Sequence, residues 1–224
     1  MKLSILIPTY NEAETICETI HNVCNADTGS YEKEILVIDD GSTDDTGKKL
    51  AELSIPIVYH KHDRNHGKGR AVQTGIQIAT GEYIIIQDAD LEYNPREYKK
   101  LLMSLSKTTP VIYGMRGFKQ GYIHYRIGAY LLTLFLDAIY RTSLHDIYTC
   151  YKLAPTELLK SLNLKSDGFE IEAEITSKIL SRKVHITEVP IEYRPRSFKL
   201  GKKIRGRDAW LGFLTIFRIW RNND

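Results

Sequence analysis

Four short aliphatic runs constrain this chain most: Leu3-Ser4-Ile5-Leu6-Ile7, Glu34-Ile35-Leu36-Val37-Ile38, Ile57-Val58-Tyr59 and Tyr83-Ile84-Ile85-Ile86-Gln87. Successive side chains of a strand point to opposite faces, so a run that is apolar at nearly every position buries both faces. Helix signals separate the runs. Asn11 with Glu14 reads as a capping box, and Ile16, Ile20 and Val23 then share one helical face. Thr43 or Asp44 opens a helix through Leu53, residues 67–79 form another, and Asn94-Pro95 caps a third that carries Leu101, Leu102 and Leu105. Strands apolar on both faces, alternating with helices, predict an α/β fold with a parallel sheet covered on both sides.

Such sheets bind ligands beyond the carboxyl ends of their strands. This chain places bare carboxylates there: Asp39-Asp40 after the second run, and Asp88-Ala89-Asp90 with Glu92 after the fourth. Burying an uncompensated carboxylate costs several kcal/mol. A ligand or metal on one shared rim would compensate all of them. Alternate carboxylates suit Mg2+ or Mn2+, hard cations that leave positions open for substrate phosphates. Glu92 would join directly or through water. The alternative is a turn whose aspartates cap backbone N–H groups ahead of Pro95. Asp39-Asp40-Gly41-Ser42-Thr43-Asp44 is either a strand-to-helix loop or a reader of the N–H edge of uracil or guanine. Gly67-Lys68-Gly69 lacks the Lys-Ser/Thr ending of a P-loop and the third glycine of a dinucleotide fingerprint. It reads as a close approach to a nucleotide with Lys68 near phosphate, or as a helix start with a solvated lysine.

The second half is less regular. Strands are expected over 111–114, 145–152 and 184–193, and helices over 123–141, 169–182 and 208–221. Arg194, Arg196, Lys199, Lys202, Lys203, Arg205 and Arg207 form a run with no acid between them. That run is a solvated loop or a basic lid over phosphates. The net charge of +3 over 224 residues does not by itself imply nucleic acid. The aromatic residues near the basic run look like helix packing rather than a stacking platform, so no nucleic acid partner is expected. Cys17, Cys24 and Cys150 include no CxxC, which argues against a zinc site or a disulfide framework and for a reducing compartment. The N-terminus reads as a first strand rather than a signal peptide. Residues 127–140 include Asp137 and fall short of the roughly 20 apolar residues of a spanning helix, so the expectation is a protein in solution or on a surface.

The runs Ile7-Pro8-Thr9-Tyr10-Asn11-Glu12, Val37 to Asp44, Asn65-His66-Gly67-Lys68-Gly69 and Asp88-Ala89-Asp90 follow one another at a spacing that resembles family 2 glycosyltransferases. More narrowly, the chain looks like the dolichyl-phosphate mannose synthase and polyprenyl-phosphate glycosyltransferase branch. The resemblance implies the GT-A fold, with a Rossmann-like, mostly parallel central sheet flanked by helices on both faces. It implies one domain, with 1–115 as the nucleotide-sugar half and 116–224 as the acceptor half. Pro8, Tyr10, Glu12, Asp39 and Asp40 would hold the nucleoside, with Lys68, Ala89, Arg196 and Lys203 around the donor. Asp88 and Asp90 would carry Mg2+ or Mn2+ on the diphosphate. Glu92 stands where the branch often has glutamine. Arg116 and Arg126 resemble its acceptor-phosphate arginines, while Arg126 reads equally as a surface residue of an amphipathic helix. Asp146 and Glu170 would orient the sugar or an arginine, or else serve as structural ion-pair partners.

A sugar transfer to a hydroxyl wants a carboxylate base; transfer to a lipid phosphate wants cations that position an existing anion. Several arginines and no clear base favour the phosphate. Attack opposite the diphosphate would invert the anomeric centre. The expected activity is therefore metal-dependent, inverting hexosyl transfer from a donor of the GDP-mannose or UDP-glucose type to a polyprenyl or dolichyl phosphate. The alternatives are transfer to a sugar hydroxyl in polysaccharide or capsule assembly, and a non-catalytic nucleotide-sugar-binding protein. The aromatic helix over 208–221 and the apolar helix around Leu131 to Leu136 either lie in a bilayer interface or pack on the sheet or in a dimer. The expected location is the cytoplasmic face of a membrane, with a homodimer or a membrane partner protein left open.

Overall fold

The computed structural model describes residues 1–117, 123–195 and 206–222. The chain runs β1 (Lys2–Thr9), α1 (Ile16–Asn25), β2 (Glu32–Asp39), α2 (Thr46–Ala51), β3 (Val58–Lys61), α3 (Lys68–Ile78), β4 (Tyr83–Ile86), a 3-10 turn (Pro95–Glu97), α4 (Tyr98–Met103) and β5 (Val111–Arg116). It continues through α5 (Ile123–Tyr140), β6 (Lys152–Pro155), α6 (Thr156–Ser161), α7 (Ile171–Ser181), β7 (Ile186–Ile191) and α8 (Gly206–Asn222).

The strands form one sheet in the order β3-β2-β1-β4-β6-β5-β7. β6 is antiparallel to both neighbours, β4 and β5, and the other pairings are parallel. Leu3, Ser4, Ile5, Leu6 and Ile7 are all fully buried, so both faces of β1 are covered as its sequence requires. Tyr98, Tyr113 and Tyr151 are fully buried in the same apolar core as Ile84 and Leu153.

Three expectations need correction. The first helix begins at Ile16 with Thr15 before it, not at Asn11. Asn11 instead adopts φ +51° and bonds across to the loop after β2, taking the Thr43 N–H on Oδ1 at 2.8 Å and giving its own N–H to Ser42 Oγ at 2.9 Å. That cross-loop pairing outcompetes a local capping box. Second, the strand expected over 145–152 is irregular chain up to Tyr151. Lys152 starts the pairing, because the backbone N–H groups of His145 and Asp146 are taken by the Glu188 carboxylate instead. Third, the run Ile57-Val58-Tyr59, expected to bury both faces, leads into β3, whose four residues are all exposed because it is an edge strand paired with β2. Pro95 does follow a working cap: Asn94 Oδ1 accepts the Arg96 N–H at 3.1 Å.

Candidate active site

The parallel strands end on one rim. Thr9 stands opposite Asp39 in the β1–β2 register, and β4 stops at Ile86, two residues before Asp88. Asp39 is fully buried; its carboxylate accepts the Ser42 N–H at 2.7 Å and the Tyr59 hydroxyl at 2.8 Å. Burial and the Asp39 charge push the Tyr59 phenol well up. Asp40 accepts the Gly67 N–H at 2.7 Å, the His66 N–H at 3.1 Å and a 2.7 Å contact from His62 Nδ1. Glu12 gives its N–H to Thr46 Oγ1 at 3.0 Å. These bonds draw the 8–12, 39–46 and 62–67 segments together. The nucleoside-site residues expected from sequence, Pro8, Tyr10, Glu12, Asp39 and Asp40, thus fall on one edge. The two aspartates also fix the loops that form it.

Asp40 sets the entry to α3, and α3 delivers Lys68. Lys68 Nζ lies 2.8 Å from Asp88 Oδ1 and 3.0 Å from Glu172 Oε1, under the Phe169 ring. Glu172 Oε2 meets Lys152 Nζ at 2.6 Å, and Lys152 also donates to the carbonyls of Ile147 at 2.9 Å and Thr149 at 2.6 Å. Four alternating charges therefore run inward from the rim. Burial alone would push the Lys68 ammonium down, but Asp88 and Glu172 outweigh it and hold it well above the usual lysine value. Burial likewise raises the Asp88 carboxyl, and Lys68 reverses that to a net lowering. Gly67 and Gly69 make this approach feasible. A Cβ on Gly67, at φ +108°, would lie 2.3 Å from the Asp167 carbonyl oxygen, and one on Gly69 would lie 2.1 Å from that of Ser166. The close approach read from Gly67-Lys68-Gly69 is thus to the chain's own 166–168 backbone. Glu172 and Lys152 are the residues that sequence reasoning misses; the acid it names in this region is Glu170. The signal that was available is position, since Glu172 and Glu174 sit amid residues buried all round α7.

Beyond β4, Leu91 turns with φ +62° and Asp90 Oδ1 accepts the Glu92 N–H at 3.1 Å. Glu92 is buried and accepts the Tyr193 hydroxyl at 2.5 Å. The Tyr193 ring carries the Arg116 guanidinium 5.1 Å above it. Arg116, at the end of β5, forks onto Asp146 through Nε (2.6 Å) and a terminal nitrogen (2.7 Å). Burial would lower the Arg116 pKa, yet Asp146 keeps it raised. Arg116 also helps hold the Asp88 carboxyl down, so the two ends of this cluster feel each other. Glu188 takes the N–H groups of His145 and Asp146, at 2.8 Å each, and thereby fixes Asp146.

Among the described residues no group of three or more His, Cys, Asp and Glu side chains is placed to hold a metal. Asp88, Asp90 and Glu92 do not form a ready-made cage: Asp88 faces Lys68 and Glu92 faces Tyr193. The donor set still fits a hard cation. Carboxylate oxygens at a strand end suit an ion that takes one or two protein ligands and completes its shell with phosphate and water.

The structure places the Arg126 backbone in α5, but its side chain lies outside the described residues, as do Arg196 and Lys203. Glu170 Oε1 accepts the Gly168 N–H at 3.2 Å, while Oε2 is buried and has no hydrogen-bond partner among the described residues. An oxygen in that state costs about 1–3 kcal/mol unless a ligand meets it. α5 and α8 pack through Phe135 and Phe213, with ring centroids 5.2 Å apart. Their outer sides expose Leu131 and Leu134 on α5, and Trp210, Leu214, Phe217 and Trp220 on α8. Among the described residues no helix is long and apolar enough to cross a membrane.

The model of the family described as "Glycosyl transferase family 2" matches residues 4–162. A dolichol-phosphate mannosyltransferase of Pyrococcus furiosus is 29% identical over 99% of this chain and 64% of its own length. Glycosyltransferase AglJ of Haloferax volcanii is 30% identical over 98% of this chain and 72% of its own. An undecaprenyl-phosphate 4-deoxy-4-formamido-L-arabinose transferase of Salmonella choleraesuis is 27% identical over 88% and 61%. The chain therefore spans about two thirds of the length of these relatives. In structure it is similar to glucosyl-3-phosphoglycerate synthase of Mycobacterium tuberculosis in complex with UDP, with a TM-score of 0.75 at 17% identity over 99% of this chain and 79% of that one. The same enzyme with Mn2+ and UDP-glucose gives 0.74 at 19%, over 97% and 78%. The sheet, with its antiparallel sixth strand, is that of the GT-A fold.

Proposed function

The chain belongs to glycosyl transferase family 2, and on that premise we propose that it transfers a hexose from a nucleotide sugar to a polyprenyl phosphate, with inversion and with Mg2+ or Mn2+ on the donor. The observation that carries this reading is the rim itself. Asp40, Asp88 and Asp90 follow the carboxyl ends of β2 and β4, and Arg116 closes β5, so a nucleoside reader, a cation site and a phosphate contact would share that edge. Relatives named for dolichol-phosphate and undecaprenyl-phosphate support the acceptor class.

Asp88 and Asp90 would hold the cation, with Glu92 supporting Asp90 through the turn. When bound, the cation supplies positive charge to the departing diphosphate. The remaining work falls to side chains. Asp39 and Asp40 shape the nucleoside edge. Lys68 would reach the diphosphate from the start of α3, and Arg196 and Lys203 would add positive charge around the donor. Asp146 commits both oxygens to Arg116, so it acts by orienting that guanidinium rather than by taking a proton. Arg116 and Arg126 then meet the acceptor phosphate, whose oxygen is already anionic and needs no base. The exposed aromatic side of α5 and α8 would rest in the bilayer interface on the cytoplasmic face, where such an acceptor lies.

The test is incubation with GDP-mannose or UDP-glucose and a short-chain polyprenyl phosphate, in Mg2+, Mn2+ or EDTA, with detection of the lipid-linked sugar. Product with metal and none in EDTA is expected, and Arg126→Ala should raise the acceptor KM or lower kcat while donor binding holds. No lipid product with any donor, but transfer to a sugar hydroxyl, would overturn the acceptor assignment and make Glu170 the leading base.

A further inference from the structure

We propose that Lys68 is a resident counter-cation for Asp88, standing where a divalent ion's charge would act, and that it moves onto the nucleotide diphosphate when donor and metal arrive. Glu172 is the anchor that keeps its ammonium in reach. This rests on the glycosyl-transfer reading of the same rim and adds a competition that the reading does not contain.

The two lysines of the network differ in how they are held. Lys152 is fixed by two backbone carbonyls, the Glu172 carboxylate and the Tyr113 ring. Lys68 Nζ touches two carboxylates and the Phe169 ring. If Asp88 lets go, Lys68 still has Glu172, so its release does not strand a charge. Side-chain exposure falls from 22% at Asp88 through 14% at Lys68 to 3% at Glu172 and 1% at Lys152, so the series opens to solvent at its Asp88 end. A divalent ion on Asp88 alone would face an ammonium a few ångströms away, and like charges at that range repel by several kcal/mol at the edge of a protein. A diphosphate relieves the repulsion by giving the ammonium a new anionic partner. Metal without nucleotide should therefore bind weakly, and metal and nucleotide diphosphate should each strengthen the other.

The experiment titrates Mn2+ against the purified chain by electron paramagnetic resonance, with and without UDP or GDP. Lys68→Met should raise nucleotide-free Mn2+ affinity on the order of tenfold, because the competing charge is gone. The same variant should bind UDP or GDP more weakly in EDTA, yet bind uridine or guanosine as wild type does. Glu172→Gln should shift nucleotide-free Mn2+ affinity the other way. Lys68→Arg, which keeps the charge, should retain weak Mn2+ binding and controls for damage to the fold, as does a thermal melt of each variant. Unchanged or weaker Mn2+ binding by folded Lys68→Met overturns the proposal, as does an equal loss of uridine and UDP. If wild type binds neither UDP nor GDP with Mn2+, the glycosyl-transfer reading falls instead; a Mn2+ gain in Lys68→Met alone would then leave the charge competition standing.

Discussion

Glu172→Ala is the perturbation that most directly tests whether the buried charge series holds the fold together. Glu172 lies between two ammoniums, 2.6 Å from Lys152 and 3.0 Å from Lys68, in a site almost closed to water. Removing one partner of a buried pair leaves an uncompensated charge and typically costs about 3–5 kcal/mol. Here the lower end applies. Lys152 keeps the carbonyls of Ile147 and Thr149, and Lys68 keeps Asp88. A loss of about 3 kcal/mol is expected, which for a chain of this size lowers Tm by roughly 6–12 °C. Because domains are stable by about 5–15 kcal/mol, the variant should still fold. Urea unfolding monitored by far-UV dichroism, beside a thermal melt, reads the change. The double variant Glu172→Leu with Lys152→Met separates charge from packing. An apolar pair of similar volume is often as stable as the ion pair it replaces, so the double variant should recover to within about 1 kcal/mol of wild type. A Glu172→Ala protein within about 0.5 kcal/mol of wild type would refute the reasoning. So would a double variant as unstable as the single, since the loss would then belong to packing.

Three further outcomes follow from other contacts. Burial raises the Glu174 carboxyl, but bonds from Ser166 and the nearby Lys178 ammonium bring it below the ordinary glutamate value. A depressed folded pKa adds stability above the unfolded value near 4.3 and loses it as pH falls through the folded value. Glu174→Gln should therefore destabilise at pH 7 and narrow its gap to wild type below about pH 4 in urea melts; a gap independent of pH would refute this. Asp40→Ala frees the His66 and Gly67 N–H groups, so it should lower stability by about 1–3 kcal/mol and weaken uridine or guanosine binding even in EDTA, as calorimetry would show. Replacing Trp210 and Trp220 together by Ser should cut binding to vesicles containing anionic lipid by about tenfold or more, measured by flotation, without changing nucleotide affinity.

Much of the architecture is legible in the chain because burial on both faces leaves a local mark. β1, β2 and β4 were readable from runs without polar interruption, and their carboxylate ends followed once the sheet was parallel. β3 is readable as a strand but not as an exposed one: burial on both faces is expected of its run, yet all four of its residues are exposed because it lies at the sheet edge. The misread segments are those where a distant partner outcompetes local chemistry. Asn11 prefers Ser42 and Thr43 to its own helix, and His145 and Asp146 give their N–H groups to Glu188 rather than to a strand. No periodicity records such a choice, because the competing group lies some 30 to 43 positions away.

The site divides along the same line. Asp40, Asp88, Asp90 and Arg116 could be named from the end of a strand, a position the local sequence marks. What each does with its charge is decided by residues that the sheet brings in from elsewhere. Asp88 meets Lys68 from α3 and, through it, Glu172 from α7, while Arg116 meets Asp146 from the loop before β6. A carboxylate at a strand end is therefore only half of a functional statement. Asp88 with an ammonium 2.8 Å away already has its charge balanced, whereas Asp146 has both oxygens committed to Arg116. The sequence motif alone would rank these aspartates alike. Their partners separate them: Asp88 is paired with an ammonium at the solvent end of a charge series, and Asp146 holds a guanidinium in place.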